Sequence, residues 1–201
     1  MRARYPRLWL MTDERIGDAL LPALRRLPPG SGVVFRHYSL PPAERRALFA
    51  KVRRITRARR LTLVVARPEQ VGRADGVHGT YKGAGLRTWP AHDRREAVAG
   101  ARAGAHLLFI SPIFPTRSHP GACALVSARA AAIGRRLGAK LIALGGMTPP
   151  RFRAVRGLGF YGWAAIDALS GPAAPKAPPH SPPDHAPARS GPRPGDPTRP
   201  W

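Results

Sequence analysis

The chain repeats one pattern: a short apolar run without alternation, then a longer stretch in which apolar and polar positions rotate. The strands this predicts fall at residues 8–11, 32–35, 61–66, 74–77, 86–89, 107–110, 140–144 and 160–166, and those at 61–66 and 107–110 are of continuous apolar type. Runs of this kind suit strands covered on both faces, as in a parallel sheet flanked by helices. Behind a Thr12-Asp13 cap, Ile16, Ala19, Leu20, Ala23, Leu24 and Leu27 keep a helical rhythm that Pro28, Pro29 and Gly30 end. Pro41 and Pro42 open a helix to about residue 59, with Leu48, Val52 and Ile55 on its inner face. A brief helical turn at 70–72 and helices at 94–103, capped by His92 or Asp93, and 125–137 follow, and Thr148 with Pro149 starts another.

The rhythm fails twice. GTYKGAG at 79–85 holds three glycines and no helical spacing, and the eighth strand runs straight into a tail. Residues 1–170 therefore predict a single (β/α)8 barrel of the TIM type, abbreviated because helix 4 and helix 8 are reduced or missing. The tail, residues 171–201, carries 11 of the 24 prolines, and Trp201 is its one large apolar side chain. Such a segment buries too little surface to order itself and is predicted to be disordered.

Composition adds charge to this picture. There are 34 basic and 11 acidic residues, for a net charge of +23, and thirty against nine remain without the tail. A field of that sign attracts nucleic acid, acidic membrane or phosphorylated small molecules without choosing among them. Only four of the basic residues are lysine, a skew that a GC-rich coding sequence produces whatever the function. Arginines spread along every helix, rather than interleaved with aromatic rings, argue against a nucleic-acid partner. The single cysteine, Cys123, excludes a disulfide framework and a thiolate metal cluster. It fits a reducing, cytoplasmic setting. No run of 18 apolar residues exists, and LWLM near the N-terminus is too short for a signal segment, so no membrane partner is expected.

Candidate chemistry gathers where LLFI at 107–110 stops and SPIFPTRSHPG begins. Ser111, Thr116, Arg117, Ser118 and His119 crowd polar and cationic groups onto the carboxyl end of that strand, where α/β barrels place ligands. An ordinary polar loop would look similar. Gly145-Gly146 ends the seventh strand as either a turn or a close approach to a ligand, and His78 and His92 serve as well for caps or core-edge imidazoles as for participants.

ISPIFPTRSHPG followed by ALGGMTP, with ADGVH upstream and an AH-x-x-x-E-A-x-x-A-x-x-A-G-A helix between them, resembles the thiamine phosphate synthase family and its thiazole tautomerase relatives. The likeness runs over roughly residues 32–169. It implies a (β/α)8 barrel that joins hydroxymethylpyrimidine diphosphate to thiazole phosphate, with magnesium, in thiamine biosynthesis. Arg36 falls on the family's diphosphate-holding arginine. Thr116 and Ser118 fall on hydroxyls beside the diphosphate and the thiazole carboxylate, and His119 stands where the family has lysine. Gly145 and Gly146 fall on the glycines that approach the thiazole phosphate, and Ile166-Asp167 on the Ile-Ser pair whose N–H groups hold it. The resemblance thus implies Arg36 and His119 as catalytic residues and Arg36, Thr116, Ser118, His119, Gly145, Gly146 and Ile166 as substrate-binding residues. Magnesium is expected from the family, yet its ligands are absent: Ala66-Arg67 replaces an Asn-Asp pair, and GTYKGAG replaces the loop with the second aspartate. Three functions follow from these residues: a divergent synthase, a barrel that binds a phosphorylated metabolite without catalysis, and an isomerase in which His92 or His119 moves a proton.

Overall fold

A computed structural model of the chain describes residues 5–80, 82–115 and 127–171. Its strands are β1 (Leu8–Met11), β2 (Gly32–Phe35), β3 (Thr62–Val65), β4 (Gly76–His78), β5 (Leu86–Ala91), β6 (Leu107–Ile110), β7 (Lys140–Ala143) and β8 (Phe160–Ala165). All pair in parallel in sequence order, and β1 closes the ring on β8 through Trp9 opposite Ala164. The helices are α1 (Leu20–Arg26), α2 (Pro42–Ala58), α3 (Arg94–Arg102), α4 (Ser127–Ile133), α5 (Pro149–Val155) and α6 (Asp167–Ser170).

The unbroken apolar runs are explained by two cores. Alternate strand residues, Trp9, Met11, Val34, Val64, Leu107, Phe109, Ile142 and Ala164, form one buried cluster inside the ring. Their neighbours face outward. Leu10, Val33, Phe35 and Leu63 pack with Leu24 of α1 and Phe49 and Val52 of α2, while Leu108, Ile110 and Leu141 pack with Ala97, Ala130 and Val155 of α3 to α5. Each buried valine, leucine, isoleucine, phenylalanine or methionine among them contributes roughly 1.5–3 kcal/mol of burial free energy. Gly32 makes room for the interior: a Cβ there would fall 2.2 Å from the Trp9 ring.

Several elements differ from the sequence expectation. The first helix opens as a 3-10 segment over Glu14–Ala19, because Gly17 at φ 53°, ψ −134° interrupts helical geometry before α1 begins. The brief turn is Pro68–Gln70 rather than 70–72. On α2 the buried face is Arg45, Phe49, Val52 and Ile55, and Leu48 is only partly covered. Asp93, not His92, caps α3, its carboxylate accepting the Glu96 N–H at 2.8 Å. The described residues of 79–85 contain no helix, as the glycines foretold. That loop lies on β4 instead: a Cβ on Gly83 would fall 2.4 Å from Val77 Cγ1, and Val77 is buried. The eighth helix survives as the four residues of α6. Among the described residues no helix is long and apolar enough to cross a membrane.

Candidate ligand site at the carboxyl rim

At the tips of β1 and β2, Thr12 organises the rim. Its carbonyl accepts Arg36 Nε at 2.9 Å, its hydroxyl accepts the Arg36 N–H at 3.0 Å, and that hydroxyl also meets His37 Nδ1 at 2.9 Å. The hydroxyl, with one proton and two lone pairs, can serve Arg36 and a neutral imidazole together. Burial pushes the His37 pKa down; Arg36 and Arg45 push the same way, while Glu14 and Asp13 oppose them. Arg36 Nη2 donates to Asp13 Oδ2 at 3.1 Å, and the same carboxylate takes Arg15 Nε at 2.7 Å. Burial would raise the Asp13 pKa, but the hydrogen bonds and charge of Arg15, joined by Arg36, hold it below the usual carboxylate range.

Below this layer lies a fully buried cation. Arg45 reaches from α2 and donates to the carbonyls of His37 (2.9 Å), Arg36 (3.2 Å), Ala66 (2.6 Å) and Arg67 (3.1 Å) and to the Gln70 side-chain oxygen at 3.1 Å. Main-chain oxygens left over where β2 and β3 end are thereby satisfied. The guanidinium also covers the Phe35 ring at 5.3 Å, on which the His37 imidazole stacks at 5.1 Å. That lock holds His37 at φ 27°, a left-handed backbone uncommon outside glycine. Nearby, His78 is buried at the end of β4, its Nδ1 2.8 Å from Thr88 Oγ1 and its ring edge-on to Phe109. Burial, with the Arg36 charge second, pushes its pKa down to about 3.

Across the ring, the loops after β6 and β7 are stitched together. Ile113 N–H donates to the Leu144 carbonyl at 2.9 Å, Phe114 N–H to the Gly145 carbonyl at 3.1 Å, and Arg151 to the Gly146 carbonyl. Gly145 and Gly146 sit at φ 93° and 60°; a Cβ would fall 2.8 Å from Pro112 Cα in the first case and 2.5 Å from the Pro115 carbonyl in the second. The pair is glycine because the SPIFP loop packs on it, which is a reason apart from any ligand.

Between these two halves of the rim lies a hollow lined by Met11, Arg36, His92, Gly146, Ile166 and Asp167, with Ser111, Pro112, Leu144, Gly145, Met147, Ala165 and Ala168. Arg36, Gly145, Gly146 and Ile166 of the expected site therefore share one cavity. Thr116, Ser118 and His119, and with them Cys123, lie outside the described residues. His92 borders the hollow but is paired with Glu96 through Nδ1 at 2.9 Å. The described residues do not suit magnesium, which takes oxygen ligands that include carboxylates. At the aligned positions stand Ala66 and Arg67, whose guanidinium lies 5.0 Å over the Tyr38 ring. Asp13 is held by two arginines, Glu14 accepts the Ser39 N–H at 3.0 Å, and no cluster of three or more His, Cys, Asp or Glu that could hold a metal occurs among the described residues.

Sequence reasoning missed Thr12, His37 and Arg45. Arg45 carried a signal: it stands four residues before Phe49 and seven before Val52, on the inner stripe of α2.

Fold and hollow define a (β/α)8 barrel with a cavity at its carboxyl rim, the end at which such barrels place ligands. Residues 87–169 match the model of the thiamine monophosphate synthase family, which supports the family read from the sequence motifs. Among solved structures, thiamine phosphate pyrophosphorylase from Pyrococcus furiosus is 21% identical with a TM-score of 0.68, over 83% of this chain and 89% of that one. The pyrophosphorylase from Bacteroides thetaiotaomicron is 16% identical with a TM-score of 0.53, over 81% and 83% of the two chains. An HpcH/HpaI aldolase/citrate lyase family protein from Burkholderia cenocepacia reaches 0.57 at 14% identity, over 83% and 90%. At these identities the structural likeness shows the shared barrel. No curated protein matches the sequence.

Proposed function

We propose that the chain performs chemistry of the thiamine phosphate synthase type, joining hydroxymethylpyrimidine diphosphate to a thiazole phosphate. The observation that carries this reading is the convergence of Arg36 with Gly145, Gly146 and Ile166 on one hollow, whose lining falls within the family match except for Met11 and Arg36. The thiazole nitrogen attacks the pyrimidine methylene, a C–N bond forms, the C–O bond breaks and the diphosphate leaves with the electron pair. Positive charge develops on the methylene and negative charge on the leaving group, so catalysis is electrostatic rather than acid–base. Arg36, fixed by Thr12 before any ligand arrives, is the described group suited to meet the diphosphate. The apolar lining of Met11, Leu144 and Met147 suits the heteroaromatic rings.

Incubation with the two precursors, with and without magnesium, tests the proposal. Thiamine phosphate is expected; its absence, together with failure to rescue a thiamine-requiring strain, refutes the synthase reading. A second reading, a non-catalytic barrel binding a phosphorylated metabolite, is favoured by Ala66-Arg67 standing where the resemblance has an Asn-Asp pair with a metal carboxylate. It is distinguished by calorimetry: thiamine phosphate or thiazole phosphate binds without metal, and no product forms.

A further inference from the structure

We propose that the flank where the barrel lacks helices carries a second anion site, independent of the rim: a groove between α2 and the approach to β4 that takes a linear oligophosphate. Round the barrel α2 is followed by α3, with only the three-residue turn Pro68–Gln70 and the glycine loop ahead of β5 between them. In that gap lies a groove of about 400 Å3, lined by Arg53 and Arg57 of α2, Arg73 and Asp75 ahead of β4, Leu63 of β3 and Gly85 ahead of β5. Its volume is that of a small-molecule site. Asp75 and Gly85 immediately precede their strands, so the groove belongs to the amino end of the barrel, opposite the rim hollow.

Arg53 and Arg57 stand one turn apart on α2, a spacing at which like charges destabilise a helix, and Arg73 adds a third cation from a separate segment. Among the described residues none of the three has an ion pair or a side-chain hydrogen bond. Asp75 is the one carboxylate among the described lining residues, and its Oδ2 accepts the Leu63 N–H at 2.8 Å, which ties it to β3 rather than to the arginines. Three guanidinium charges against one carboxylate leave an excess of two. A phosphate chain answers this arrangement, because guanidinium forks meet phosphate oxygens two at a time and the added negative charge relieves the repulsion among the arginines. The same excess repels a second copy of a chain whose net charge is +23. No aromatic ring occurs among the described lining residues, so the ligand is read by charge and no base is stacked.

Calorimetric titration of the full chain with inorganic tripolyphosphate at low salt tests this, on an Arg36→Ala background that removes the rim's described cation. On that background Arg53→Gln/Arg57→Gln/Arg73→Gln is compared with Arg25→Gln/Arg129→Gln/Arg153→Gln, which removes the same charge from exposed positions on α1, α4 and α5. The groove variant is expected to lose at least about tenfold in affinity and the control less than about threefold. Thermal melts establish folding, and the single substitutions Arg57→Gln and Arg73→Gln at exposed positions, each expected to weaken binding several-fold, carry the test if the triple variant does not fold. ATP is expected to match tripolyphosphate within about threefold, since no ring meets its base; a strong preference for ATP overturns recognition by charge alone. No binding by the Arg36→Ala parent overturns the groove and leaves the proposed condensation standing. A loss in the groove variants no greater than in the control shows attraction by net charge only and overturns it as well. Failure to form thiamine phosphate, with tripolyphosphate still held by the groove, refutes the condensation alone.

Discussion

Asp13 and Arg36 form an ion pair across the tips of β1 and β2, Oδ2 to Nη2 at 3.1 Å, with both side chains about four-fifths buried. The arginine that reads as the diphosphate holder is thus partly neutralised before a ligand arrives, and it is aimed by Thr12 rather than by its own freedom. Asp13→Asn removes the competing charge and leaves the Thr12 contacts. Titration with inorganic pyrophosphate is expected to show several-fold tighter binding, and urea denaturation a loss of about 1 kcal/mol. Weaker binding would mean that the carboxylate is needed to orient the guanidinium.

Arg45 is fully buried and donates to four main-chain carbonyls and one amide oxygen. Arg45→Met keeps much of the volume and strands those acceptors, so a loss of roughly 3–5 kcal/mol is expected in chemical denaturation. Arg45→Lys recovers only a minor part, because a point ammonium cannot reproduce the fork. A loss below about 1 kcal/mol in the methionine variant would show that water takes over the carbonyls.

His78 sets an acid limit to stability. Its pKa is about 3 in the fold against an ordinary 6.5, so the unfolded chain binds the proton more tightly. The folded state therefore loses stability as pH falls below about 6.5 and goes on losing it until about 3, at up to roughly 1.4 kcal/mol per pH unit for this one group. Asp13 titrates below its ordinary 3.8. Its contribution is present above that value and is lost only at lower pH, so the two effects separate along the axis. Denaturation of the wild type and His78→Gln across mildly acid pH should show a steeper fall in the wild type, since the variant keeps only the contribution of His37, whose pKa burial also lowers. Equal slopes would contradict the neutral, buried histidine.

Gly145→Ala and Gly146→Ala each demand a left-handed backbone from alanine and push a methyl into the SPIFP loop. A loss of roughly 1–3 kcal/mol is expected from each by thermal or urea melts, with or without ligand present. An alanine that costs nothing in stability yet abolishes ligand binding would assign the glycines to the ligand rather than to the loop.

The barrel was legible because strands such as β2 and β6 are runs of apolar residues whose two faces are both buried. Leu107–Ile110 shows this: Leu107 and Phe109 face the interior cluster, and Leu108 and Ile110 face the helices. The missing fourth helix was legible in the glycines of 79–85, one of which lies against Val77. The 3-10 start before α1 was not, since the spacing from Ile16 to Leu27 is helical and Gly17 interrupts it through its backbone alone. Arg36, Gly145, Gly146 and Ile166 were placed at the rim by motif, and they share the hollow. The Thr12–His37 contact joins residues 25 apart through one hydroxyl, a pairing that no local pattern encodes.

The most direct measurement is a crystal structure of the full chain soaked with inorganic pyrophosphate. The expected result is pyrophosphate in the rim hollow with its oxygens on Arg36, and loss of that density in Arg36→Ala. Pyrophosphate held only elsewhere, for instance by the outer arginines Arg53, Arg57 and Arg73 that line a separate groove, with the rim hollow empty, would contradict the claim that this rim is the anion-binding site.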